Sequence, residues 1–183
     1  MSDPAKLHGG IMYGRDPKES DRDTITYEID MLDFCMTKLI DKHNASPLKD
    51  ENIYIEAFLV HYRNLICFFS GKHHRCSSDL DTSSPEVWAM RSLSQQERTV
   101  IQEIQAQAGV LDRDFKPVSQ YVQHCTTIRA ARERGWDLEG MYRSIDAIIS
   151  TFEKTFPRQE GKPRVKCPLP THRPDGVFRT GSY

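Results

Sequence analysis

The sequence predicts an all-α fold: a four-helix bundle with a short helical insertion and flexible termini. Three observations carry that expectation. Between Thr24 and Phe156 apolar residues recur at i, i+3, i+4 and i+7, the period of a helix with one buried face. No segment of that span alternates polar and apolar residues as a half-buried strand would. Helix-starting and helix-stopping chemistry punctuates the pattern, with Ser94-Gln95-Gln96-Glu97, Asp114 and Asp137 at starts and Gly71, Gly109, Gly135 and Pro157 at stops.

Each element can be read in turn. The first helix is expected over about 24–43, where Ile25, Ile29, Leu32, Met36, Leu39 and Ile40 form the inward stripe, and Asn44-Ala45-Ser46-Pro47 ends it. Asp50 is the expected cap of a second helix that reaches Phe69 and stops at Gly71. A polar loop spans 72–82, and Ser83-Ser84-Pro85-Glu86 starts a short helix carrying Val87, Trp88 and Met90. Ser94 and Glu97 form a capping box that opens a helix running to about Ala108, with Val100, Ile101 and Ile104 inward and Gly109 as its stop. Asp114 caps the next helix, which is expected to run to Arg134. Asp137 caps the last, where Leu138, Met141, Ile145, Ile148, Ile149 and Phe152 make the stripe before Pro157.

The domain organisation follows. Residues 1–23 show no apolar period and read as a flexible arm; 24–156 form the helical domain; 157–183 form a tail with five prolines and a net charge of +4. The whole chain of 183 residues is long enough to bury a sizeable core and carries a net charge of −1, so no global field draws it to nucleic acid or membrane. No apolar run approaches the roughly 18 residues that span a bilayer, and the first residues show no signal-peptide core. The five cysteines are odd in number and form no C-x-x-C pair, which suits reduced thiols in a cytoplasmic protein.

The segment Glu56-Ala57-Phe58-Leu59-Val60-His61-Tyr62-Arg63-Asn64-Leu65-Ile66-Cys67-Phe68-Phe69 is the most informative. It is apolar on nearly every face, as a fully buried helix is, yet it holds Glu56, His61, Arg63 and Asn64. Polar groups on a buried helix must be partnered or cost roughly 1–7 kcal/mol each. His61 and Asn64 share a face by i, i+3 spacing, and His124 and Thr127 line up in the same way on the later helix. If those helices pack, His61, Arg63, Asn64 and His124 could form an acid–base or phosphate site, with Arg129 and Arg132 as binding residues beside it. The alternative is a hydrogen-bond network that fixes helix register, and arginines that complement a helix dipole.

His73, His74 and Cys76 lie near Asp79 and Asp81, but the spacing fits no standard zinc set, so neither metal nor cofactor is expected. There is no phosphate-cradling glycine loop, no G-x-S-x-G elbow, no H-E-x-x-H motif and no Glu-x-x-His motif of the di-iron bundles.

The segment 56–69, the acidic Asp79-Leu80-Asp81 with Trp88 after it, and His124-Cys125-Thr126-Thr127-Ile128-Arg129 resemble a bacterial family of small helical proteins without assigned function. The resemblance spans about residues 53–132. A looser resemblance is to the HEPN superfamily, helical bundles that include toxin and abortive-infection ribonucleases. Those enzymes dimerise and use an arginine, a neighbouring polar residue and a histidine four to six residues on. Arg63-Asn64 resembles the first two. Phe68, Phe69 and Ser70 occupy the histidine's window, so His61, His73 or His124 would have to substitute. Two expectations result. One is a non-catalytic helical interaction protein, with a homodimer or another protein as partner. The other is a HEPN-type metal-independent ribonuclease or nucleotide-binding protein, with RNA as partner.

Overall fold

A computed structural model describes residues 17–43, 49–72, 80, 82, 91–123, 134–158, 163–169 and 178–180. Five helices are present among these: α1 Pro17–His43, α2 Lys49–Ser70, α3 Gln95–Val110, α4 Asp112–Gln123 and α5 Leu138–Thr155. Two three-residue strands, β1 Arg134–Trp136 and β2 Phe178–Thr180, pair antiparallel, with Gly135 opposite Arg179.

Helix α2 occupies the centre. It packs against α1 most extensively, and also against α3, α4 and α5. That arrangement explains a helix without a polar face: Ile55, Phe58, Leu59, Tyr62, Leu65, Ile66, Phe68 and Phe69 are all buried, on sides that point to different neighbours. Phe68 and Phe69 meet Phe152 of α5 edge to face, with ring centroids 5.7 and 5.4 Å apart. From α1, Ile25, Ile29, Leu32, Met36 and Leu39 join the same core.

The helix ends follow local chemistry. Gly71 adopts φ 63°, the left-handed conformation that stops α2. Thr82 then covers the exposed carbonyls, donating its amide to Phe68 O and its hydroxyl to Phe69 O, each at 3.0 Å. Ser94 and Glu97 form the capping box of α3, and Asp137 caps α5 through Gly140 N at 2.9 Å. A Cβ at position 140 would collide with the Asp137 carboxylate, so the cap needs glycine there.

Several expectations are corrected. Helix α1 begins at Pro17, not near Thr24, so 17–23 are helical. Proline suits a first helical position because no helical partner exists for its missing N–H. Asp50 lies inside α2 instead of capping it. Gly109 lies within α3, whose cap is Leu111 in a right-handed conformation. Helix α4 starts at Asp112, so Asp114 sits in its first turn and is free to bond elsewhere. The later helix does not reach Arg134, and Gly135 is no helix stop: 134–136 are strand, held by a partner more than forty residues further on. Residues 163–169 of the tail pack on the bundle through Arg164 and Cys167. The short helix expected over 83–90 lies outside the described residues. No described helix is long and apolar enough to cross a membrane.

Candidate functional site

The polar residues of α2 are partnered by two different helices. His61 is buried on the α1 side, and its Nδ1 lies 2.8 Å from Glu28 Oε2. Asn64, one turn later on the same face, donates Nδ2 to that same oxygen at 3.2 Å. One carboxylate of α1 therefore gathers two side chains of α2. The Tyr27 ring lies edge-on over the imidazole, with centroids 5.8 Å apart.

Arg63 faces the other way. Its Nε donates to Ser119 Oγ of α4 at 2.8 Å, and its guanidinium lies over the Phe115 ring at 5.3 Å. Nη1 reaches back to Asn64 Oδ1 at 3.3 Å, which links the two halves. Glu28, His61, Asn64, Arg63 and Ser119 thus form one chain of polar contacts across α1, α2 and α4. Tyr62 adds a third contact to α4: its hydroxyl donates to Asp114 Oδ2 at 2.9 Å. Burial, reinforced by the Asp114 carboxylate, raises the Tyr62 phenol far above its ordinary range.

A second, more deeply buried cluster was not foreseen. Arg164 grips Asp33 bidentately, Nε to Oδ2 at 2.6 Å and Nη2 to Oδ1 at 2.8 Å, with both side chains almost fully buried. Tyr142 of α5 donates its hydroxyl to Asp33 and accepts from Cys167 N at 3.2 Å. Asp146 meets Arg164 Nη1 at 2.9 Å and also pairs with Lys166. Beside it Arg158 bonds Glu153 at 2.5 Å and Asp30 at 2.6 Å, and Arg22 donates to Pro157 O. Burial pushes the Tyr142 phenol up, and Asp33 adds to it. For Arg164 burial acts downward, but Asp33 outweighs it and holds the guanidinium above its ordinary value.

Of the sequence candidates, the fold brings together His61, Arg63 and Asn64, and places Ser119 of α4 against Arg63. His124, Arg129 and Arg132 lie outside the described residues, as does the loop 73–79 with its histidines. Glu28, Asp33, Ser119, Tyr142 and Arg164 were missed. Asp33 carried a signal, a lone carboxylate inside the apolar run Met31-Leu32-Asp33-Phe34-Cys35. Among the described residues no group of three or more His, Cys, Asp or Glu side chains is placed to hold a metal ion. Three of the tail's cations, Arg158, Arg164 and Lys166, are engaged by carboxylates of the bundle. Family models, curated proteins and solved structures were all compared with the chain, and none of the three comparisons gives a match.

Proposed function

We propose that this chain is a non-catalytic helical interaction protein, a HEPN-like bundle whose polar cluster is cement rather than machinery. One observation carries the reading: Glu28 Oε2 takes both His61 Nδ1 and Asn64 Nδ2, so a single carboxylate oxygen of α1 ties the imidazole and the amide of α2 in place. A general base needs a free path to its substrate, whereas these groups spend their hydrogen bonds on joining helices. The product of that joining is a firmly registered α1–α2 pair with Tyr27, Phe34, Ile53 and Val60 left on its outer side. Such side chains suit a protein partner.

Chemical denaturation of E28A, H61A and N64A tests this. Each variant is expected to lose roughly 1–3 kcal/mol. Because all three side chains share one site, the H61A/N64A double variant should lose less than the two singles together. Unchanged stability in all three single variants refutes the reading.

A second reading, a HEPN-type ribonuclease, has one observation in its favour. With Nδ1 held by Glu28, the imidazole has Nε2 left for proton transfer, as in carboxylate-oriented catalytic histidines. Single-stranded RNA cleaved by the purified chain but not by H61A would support it. No cleavage by the wild type would remove it.

A further inference from the structure

The outer side of the α1–α2 pair has a pattern of its own. Tyr27 and Phe34 are seven residues apart on α1 and are exposed, 55% and 46%; Ile53 and Val60 are seven apart on α2 and are exposed too, 65% and 36%. Seven residues are two helical turns, so each pair lies on one line about 10 Å long. The two lines belong to one surface. Tyr27 abuts His61, next to Val60, and Phe34 abuts Tyr54, next to Ile53, at 5.8 and 6.2 Å between ring centroids. Each end of the patch therefore presents one aromatic and one aliphatic side chain.

Charge marks the two ends differently. Asp23 lies four residues before Tyr27 and is exposed. Lys38 lies four residues after Phe34, its ammonium 5.5 Å from that ring. The positions 23, 27, 34 and 38 are symmetric about the point between residues 30 and 31. A two-fold axis running across the helices at that point stacks α1 antiparallel on a second α1. It sets Tyr27 on Phe34 of the other copy, Ile53 on Val60, and Asp23 opposite Lys38 twice. The reverse placement, α1 on α1 in parallel, would set like against like.

From this symmetry and charge complementarity we infer that the α1–α2 face binds a second copy of this chain, as an isologous dimer with antiparallel α1 helices. The inference deepens the reading of an interaction protein by naming its partner. The apolar pairs supply the buried area, and the two Asp23–Lys38 contacts set the register.

Sedimentation of the full chain across the micromolar range tests it, with circular dichroism to check that each variant is folded. The wild type should dimerise, and Ile53→Asp, at a position open to solvent, should be monomeric with unchanged thermal stability as a monomer. Asp23→Lys and Lys38→Glu should each weaken the dimer roughly tenfold, or about 1.4 kcal/mol. The double variant Asp23→Lys/Lys38→Glu should recover wild-type affinity, and high salt should remove the differences. A wild type that stays monomeric overturns the dimer, while leaving the cement reading to the denaturation of His61 and Asn64 variants. A dimer indifferent to Ile53→Asp overturns the face. Singles that weaken without recovery in the double overturn the antiparallel register.

Discussion

Replacing Arg164 with alanine should be strongly destabilising. It leaves Asp33, which is only 2% exposed, with the Tyr142 hydroxyl as its remaining strong partner. Two charge-assisted hydrogen bonds disappear, each worth about 1.5–3 kcal/mol, and breaking one side of a buried pair generally costs about 3–5 kcal/mol. The expected loss at pH 7 is therefore about 3–5 kcal/mol. Urea denaturation of wild type and R164A measures this directly. In a melting experiment the pH 7 loss corresponds to a drop of roughly 8–15 °C for a chain of this size. The double variant R164M/D33N removes both charges and leaves an amide oxygen at position 33 to accept from Tyr142, so it should recover most of the loss. A deficit below about 0.5 kcal/mol at pH 7, or one that the double variant does not reduce, would refute the reasoning.

Three further outcomes are expected. Tyr62→Phe should lose about 1–2 kcal/mol, because Asp114 keeps its charge and loses a donor; equal urea midpoints for the two proteins would show that the contact is not formed. Ser94→Ala removes the N-cap acceptor of α3 and one of several donors to Glu97, for a loss of about 1 kcal/mol visible in the same assay. Burial pushes the Cys35 thiol up to about 11, so iodoacetamide at pH 8 should leave it unmodified in the native state and label it only when the chain unfolds; peptide mass mapping with and without urea decides that.

The amphipathic helices were legible because their signal is local. The stripe of α1, the capping box of α3 and the cap of α5 each lie within a few neighbouring residues. The central place of α2 was legible too, since a helix apolar all round has nowhere else to go. What could not be read was pairing. Glu28 and His61 are 33 residues apart, and nothing in either segment's period names the other. Asp33 and Arg164 are 131 apart. The strands β1 and β2 are three residues each, too short for alternation to show, and their existence depends on a partner rather than on propensity. Gly109 misled because glycine tolerates a helix interior at only about 1 kcal/mol, so its presence alone does not end one. The tail's prolines forbid helix without forbidding attachment, and Arg158, Arg164, Lys166 and the Cys167 amide fasten its described part to the bundle.

The clasp between Asp33 and Arg164 also sets a schedule for the chain's birth. Synthesis proceeds at roughly 5–20 residues per second, so Arg164 follows Asp33, 131 positions earlier, by roughly 7–26 seconds. Through that interval α1 can meet α2 and bury its apolar stripe, but the Asp33 carboxylate has no cation to receive it. Its desolvation is deferred until the ribosome has released residues 163–169. A nascent chain stalled before that point would hold an α1 with one seat open, recognisable to a protease or chaperone as unfinished.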